Sequence, residues 1–371
     1  MKPSPGNSLH AKGSGVIRNA SPLQAPGRNG TFPMQDHERA CSRRGFLKGA
    51  SACAAHLALM ATPFPLSARH LWSKRQLGEV VAQEPFGRLE EVGTGLYAFI
   101  STPLAGDYTT VCNGGIIVGR TGVLVVEAFQ TAQGARWIAQ QARRLSGRWP
   151  THVLVTHYHG DHTGGVRGFD PDFAADAAGG GEIPGEFPEL MATDVTRDLR
   201  VNGLPQEAPA ALRARWSDLV LVAQDAPSEI DLGDRLVHVQ PLRGHTPSDL
   251  AVDLPEEKMT WCGDLVWNGM FPNYMDATPS QLARSVALLQ ARERDLYIPG
   301  HGPLAEPADY ARYVEVLEGI HETAQRARRE GWTAQEAGER HRISPNLGEW
   351  TLFNPSYFQR AVEAWMMEWE G

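Results

Sequence analysis

Alternation of apolar and polar positions at 88–101, centred on Leu96, Tyr97 and Phe99, predicts strands. The apolar runs 111–118 and 122–127, separated by a Gly-containing turn, predict a hairpin. Helical spacing at 130–145 predicts a helix with Arg on its outer face, and the run 152–156 predicts a buried strand. Helices are expected at 190–200 and 208–216. Strands are expected near 218–222, 235–240, 250–254 and 258–263. A Pro-initiated helix then follows at 279–294, with a short strand at 296–298. From 307 onward the pattern is mainly helical, with a break near Pro345. Two amphipathic stripes there, Tyr310, Tyr313, Val314, Leu317 and then Phe358, Val362, Trp365, Met366, are expected to pack on the domain rather than bind a partner. Hairpins early and strand–helix alternation later predict an α/β sandwich, and no 20–50-residue repeat interrupts it. Residues 170–188 have little periodicity and read as a loop-like insertion.

The front of the chain breaks this pattern. Residues 1–33 are rich in Pro, Gly, Ser and Asn without hydrophobic period and read as a disordered extension. Met34 is an alternative start, and 34–68 holds Ser42, Arg43, Arg44, Gly45, Phe46, Leu47 and Lys48 followed by an apolar stretch, 49–66. That stretch is short and broken by His56, Pro63 and Pro65, so stable membrane insertion is not expected. The segment closely resembles a twin-arginine export signal, which implies the export machinery as a partner and a periplasmic or secreted destination. Cleavage near Ala68 or Ala82 is expected, with 69–87 as a linker, 88–305 as the main domain and 306–371 as C-terminal helices.

Composition changes the picture in two respects. The 371 residues are 42% hydrophobic, enough for a large core. The net charge of -8 is uneven: residues 1–68 carry +6, so the rest is strongly acidic and nucleic acid is not an expected partner. Of the four cysteines, Cys112 and Cys262 lie beyond the leader and are expected to be buried and unpaired.

The chemistry concentrates at Thr156-His157-Tyr158-His159-Gly160-Asp161-His162-Thr163-Gly164-Gly165. It begins where a buried strand stops. Alternate residues of an extended chain point the same way, so His157 and His159 can reach one metal ion, while Asp161 and His162 on the next turn can face a second. Imidazole and carboxylate suit zinc, and also manganese or iron.

This run resembles the signature of the metallo-β-lactamase superfamily. Gly244-His245-Thr246-Pro247-Ser248-Asp249, Cys262-Gly263-Asp264 and Pro299-Gly300-His301-Gly302 resemble its later motifs, in the right order. The resemblance covers about 88–305 and implies a four-layer αββα sandwich. By the same resemblance His157, His159 and His245 would hold a first metal, Asp161, His162 and His301 a second, and Asp264 would bridge them. Two Zn2+ ions are the expected cofactors, with iron or manganese fitting the same donors. Such a pair would share a hydroxide as nucleophile against a small ester, lactone, lactam or thioester, with Asp161 orienting it. The family often has Asp at the end of the second hairpin strand. Here stands Glu127, one methylene longer, at a position that supports the metal loop.

Tyr158, Asn268, Met270, Phe271 and Tyr274 either line the pocket or simply pack. Three rival functions share the scaffold. An iron-dependent sulfur dioxygenase would use the same ligands. A true β-lactamase typically has Cys or Ser near the place of Asp264. A non-catalytic binding protein would be expected to have lost ligands, and none is lost here. The sequence leaves the oligomeric state open.

Overall fold

The computed structural model describes residues 18–19, 77–174 and 185–371. Of the leader only Arg18–Asn19 is described, and it departs from the disorder expected of 1–33 by pairing as a short strand; the export motif, residues 42–48, lies outside the described residues. The strands in chain order are β1 (Arg18–Asn19), β2 (Glu79–Glu84), β3 (Gly87–Gly93), β4 (Leu96–Ser101), β5 (Gly114–Val118), β6 (Val123–Val126) and β7 (His152–Leu154). They continue with β8 (Glu189–Ala192), β9 (Val220–Leu221), β10 (Ser228–Asp231), β11 (Leu236–Leu242), β12 (Asp249–Leu254), β13 (Met259–Trp267) and β14 (Leu296–His301). One sheet runs β2 to β9 in sequence order, antiparallel to β6 and parallel from there on. The other has the order β1-β10-β11-β12-β13-β14, with only β13 and β14 parallel.

The two sheets face each other across a core of alternate residues, among them Ile117, Leu124, Val126, Val239, Val252 and Trp261. Trp261 explains the Gly-Gly pair that starts the hairpin. Its indole Nε1 donates to Gly114 O at 3.1 Å, and a Cβ on Gly115 would fall 2.5 Å from that nitrogen. Truncating so large a buried side chain costs about 3–5 kcal/mol.

Helices cover both outer faces and complete four layers. Helix α1 (Ala132–Ser146) buries Ala135, Ile138, Ala139 and Ala142 on the first sheet. Thr131 caps its N-terminus, and Gly147 ends it in the left-handed region at φ 75°. The expectation that arginines lie on its outer face fails for Arg136. That side chain is buried, passes over the rings of Trp149 and Phe173, and donates to Asp170 O. On the far side, α5 (Pro279–Gln290), α6 (Pro307–Glu330), α7 (Ala334–Arg340) and α8 (Tyr357–Glu370) share a second core with the back of β13 and β14. Tyr310, Tyr313, Ile320, Tyr357 and Val362 are fully buried there. Among the described residues no helix is long and apolar enough to cross a membrane.

Three expectations need correction. The stretch read as a linker contains β2, which pairs antiparallel with β3, and Ala82 sits inside that strand. Residues 190–192, read as the start of a helix, belong to β8 beside β7; the helix, α3 (Asp194–Gly203), begins only after the Thr193 cap and is followed by α4 (Ala210–Ser217). Glu-Leu-Met-Ala favours a helix by propensity, and pairing with a buried central strand overrides it. The short strand β10 was hidden in Ser-Glu-Ile-Asp, where a single apolar residue, Ile230, faces the core.

Candidate metal centre

The ligand motifs meet at one end of the two sheets, where strands stop and turns begin. After β7 the chain passes through Val155 and bends over 156–158, which carries His157, before His159 leads into the next turn. A single helical turn, α2 (Gly160–Thr163), then presents Asp161 and His162, and is held by Thr163 Oγ1 donating to His159 O at 2.7 Å. Gly164 and Gly165 let this turn close on the neighbouring loop: a Cβ on Gly165 would lie 2.1 Å from Ala128 O. That loop is itself bent, with Glu127 at φ 79° and Phe129 at φ 59°. Ala128 N donates to His162 O, and Gly165 N to Phe129 O.

His245 follows Gly244, whose φ of 138° and close approach to the Leu282 backbone admit no side chain. Asp249 secures this turn, accepting from His245 N (2.9 Å), Thr246 N and Thr246 Oγ1 (2.6 Å). Asp264 projects from an irregular part of β13, and His301 ends β14. Asn113 pins that end: its Nδ2 donates to Pro299 O and Gly302 O, and its N to Gly300 O. A Cβ on Gly300 would sit 1.9 Å from Asp264 Oδ1, so only glycine fits between the two motifs.

All seven residues expected from the sequence converge, in two adjoining groups: His157, His159, His245 and Asp264, then Asp161, His162 and His301. In the first, His159 Nδ1 lies 3.1 Å from His157 Nε2 and 3.0 Å from His245 Nε2. Nitrogens placed tetrahedrally at zinc-ligand distance would be about 3.3 Å apart. In the second, His301 Nε2 lies 3.2 Å from Asp161 Oδ2, and His162 Nε2 3.6 Å from it. Asp264 spans both groups. Its Oδ2 is 3.3 Å from His245 Nε2, while its Oδ1 is 3.1 Å from His162 Nε2 and 3.3 Å from His301 Nε2. His162 Nε2 and Asp264 Oδ1 are buried and have no aligned hydrogen-bond partner. Nitrogen and oxygen donor atoms that converge on a common point with no aligned hydrogen bond between them fit a cation.

Electrostatics divide the imidazoles. Burial, aided by His162 and His159, holds His157 well below the usual imidazole range, and burial also pushes His245 down to about 3. Both are thus neutral and able to ligate. Burial opposes charging of His162, but Cys112, Glu127, Asp264 and Asp161 outweigh it and raise that imidazole. His301 is raised to about 9: Asp264 and Asp161 overcome the effect of burial. Both carboxyls are lowered by the facing imidazoles despite burial. The centre is a charge-compensated cluster even without ions.

Supporting groups stand behind the ligands. Glu127 is buried. Its Oε1 accepts from Thr156 Oγ1 at 2.6 Å and lies 3.0 Å from His162 Nδ1, and its Oε2 accepts from Thr156 N at 3.3 Å. Since the Thr156 proton goes to Glu127, Thr156 Oγ1 accepts from His157 Nδ1 (3.0 Å). One carboxylate therefore reaches an imidazole of each group. The longer Glu side chain fits because the backbone turns at its own position. Sequence reading missed Asp276, whose Oδ2 is 2.9 Å from His159 Nε2, and the pinning role of Asn113. Neither lies in a motif. Cys112 and Cys262 are buried and free; Cys112 Sγ donates to Asp161 O at 3.0 Å, and burial pushes this thiol up to about 12.

The expected pocket residues divide. Met270, Phe271 and Tyr274 are core, packed with the C-terminal helices, and Asn268 holds the His301 turn by donating to Pro303 O and Leu304 O. Tyr158 alone of that set is half-buried, its ring edge-on to His159 at 4.9 Å.

A family model described as the metallo-beta-lactamase superfamily matches residues 107–301. The human acyl-coenzyme A thioesterase MBLAC2 is 23% identical over 167 residues, which is 44% of this chain and 60% of that protein, so the chain spans under two thirds of that relative. Among solved structures, a metallo-β-lactamase from Erythrobacter litoralis, with beta-mercaptoethanol in its active site, has a TM-score of 0.49 and 17% identity, over 64% of this chain and 98% of that one. TMB-1 gives a TM-score of 0.47 and 17% identity, over 63% and 98%. The family match spans just over half of the chain and includes every motif of the centre, and on that ground the protein belongs to the metallo-β-lactamase superfamily.

Proposed function

We propose that the protein is an exported hydrolase with two divalent ions, zinc in the first instance, and that it cleaves a small thioester or a related ester, lactone or lactam. His157, His159 and His245 would hold one ion, Asp161, His162 and His301 the other, and Asp264 both. The observation that carries this reading is Asp264, with one carboxylate oxygen turned to each group of imidazoles. When bound, ions in such a pair lower the pKa of water toward about 7 and polarise an acyl oxygen.

The chain's own groups supply the rest. Asp161 has 22% of its side chain exposed, against 8% or less for each of the other six ligands. It is thus the ligand carboxylate that meets substrate and solvent, placed to accept a hydrogen bond from the attacking water and aim it. The burial of the remaining ligands keeps bulk water away from the donors. Tyr158 stands at the rim. The thioester preference is taken from the MBLAC2 likeness, and export from residues 42–48 with the apolar stretch behind them.

The test is elemental analysis of the purified protein together with acyl-thioester, lactone and nitrocefin assays, with and without chelator. Near two zinc ions per chain and chelator-sensitive thioesterase activity are expected. Iron together with oxygen uptake would replace hydrolysis by an oxygenase reading. Export is tested by Arg43→Lys with Arg44→Lys, which should trap the protein in the cytoplasm.

A further inference from the structure

We infer that Asp276 is a positioning residue that fixes the ring of His159 so that Nδ1, not Nε2, faces the first group of ligands. This rests on the reading of that group as a metal site. His159 has two ring nitrogens, and only one can point inward. Nδ1 lies among His157 Nε2 and His245 Nε2, while Nε2 meets Asp276 Oδ2 at 2.9 Å. A carboxylate accepts, so Nε2 carries the proton and Nδ1 keeps its lone pair for a cation. The same carboxylate accepts from the Tyr158 hydroxyl, which holds it on the side facing His159.

The backbone around Asp276 is fixed from several directions. Asn273 Oδ1 accepts from Met275 N, and Ala277 N donates to Tyr274 O, closing a tight turn. Phe271 and Tyr274 anchor that turn in the core. Two residues on, Thr278 N donates to Gly244 O at 2.9 Å, beside His245. Segment 276–278 therefore ties together two imidazole arms that lie 86 residues apart in the chain. Thr278 holds one through the backbone and Asp276 the other through its side chain. His162 and His301 form their ion pairs with Glu127, Asp161 and Asp264 and not with Asp276, so the effect should be confined to one ion.

The experiment is a zinc titration of apoprotein against a chromogenic chelator, with the visible spectrum of the cobalt-substituted protein as a second readout. Wild type, Asp276→Ala, Asp276→Asn, Asp276→Glu and Tyr158→Phe are compared. Asp276→Ala and Asp276→Asn should weaken one of two zinc equivalents by about 10–100-fold and leave the other in place. Their cobalt bands should change for that ion alone. Asp276→Glu should recover part of the loss, and Tyr158→Phe, which frees one side of the carboxylate, should weaken the same equivalent by less than Asp276→Asn does. Should Asp276→Ala not fold, the near-isosteric Asp276→Asn decides. Wild-type affinity for both equivalents in Asp276→Asn overturns the inference while leaving the metal site standing. A wild-type protein that takes up no zinc overturns both.

Discussion

Replacing Glu127 with Gln tests the claim that one buried carboxylate supports both groups of ligands. The change keeps the volume and removes the charge. In the native arrangement Thr156 Oγ1 donates to Oε1 and Thr156 N to Oε2, and His162 Nδ1 lies 3.0 Å from Oε1 as an ion pair. An amide offers one accepting oxygen. In one orientation its NH2 opposes Thr156 N; in the other it opposes Thr156 Oγ1 and His162 Nδ1. Each leaves a buried donor facing a donor. A hydrogen bond to a charged group contributes about 1.5–3 kcal/mol, and losing such a support costs about 10–100-fold in metal affinity, or about 1.4–2.8 kcal/mol. The two scales agree, so most of the lost bond energy should appear as lost binding. Both zinc equivalents should weaken, because Glu127 reaches His162 directly and His157 through Thr156. This separates it from Asp276→Asn, which should touch one. The assay is the same chelator competition, with circular dichroism to show that the fold persists. Unchanged affinity for both equivalents in a folded Glu127→Gln protein would refute the argument, as would loss of the first equivalent with the second intact.

Removing the metals should lower stability as well as activity. Ions at 100 times their dissociation constant stabilise by about 2.7 kcal/mol per site, so chelator should lower the melting temperature measurably and zinc should restore it. Gly300→Ala places a methyl group 1.9 Å from where Asp264 Oδ1 now sits, so it should displace the shared carboxylate and weaken both zinc equivalents, at a fold cost of about 1–3 kcal/mol; equilibrium urea unfolding and the zinc titration read the two effects separately. His341 lies against Phe271 and Phe358, and burial, with Arg342, lowers it to about 4. Its folded pKa is below its unfolded value, so the unfolded chain binds the proton first. Its contribution is whole above about pH 6.5 and is lost as pH falls toward 4, about 2–4 kcal/mol in all. The stability difference between wild type and His341→Gln, measured by urea unfolding at several pH values, should follow that course; a difference independent of pH would contradict it.

How much of this was legible in the sequence depends on what kind of signal each part leaves. The hairpin at 111–127 and the strand before His157 were legible because both faces are buried, which leaves continuous apolar runs. Strand β8 was not, because its residues prefer a helix and only the neighbour β7 makes them extended. Strand β10 was not, because it is four residues long and turns a single apolar side chain, Ile230, to the core. Met270, Phe271 and Tyr274 read as easily for a pocket as for a core. What decides is the C-terminal helices that cover them, an arrangement no local pattern records.

The ligands and their supports differ in the same way. His157, His159, Asp161 and His162 are close in sequence because one turn must present them together, and residue types that bind metals are rare enough at that density to stand out. A support has no such constraint. It needs a carboxylate, hydroxyl or amide within hydrogen-bond reach of the back of a ring, and that group can come from any segment that passes. Glu127 comes from the loop after β6, Asp276 from the loop after β13 and Asn113 from the start of β5, and each is a common residue type with no distinctive neighbours. Of these only Glu127 was foreseen, through a family resemblance and not through its surroundings. The consequence is physical. The ligand set fixes which ions can bind, and the scattered supports fix which ring nitrogen faces them. Two members of the family can therefore keep every ligand and still hold their ions differently, as Glu127 and Asp276 would make this one do.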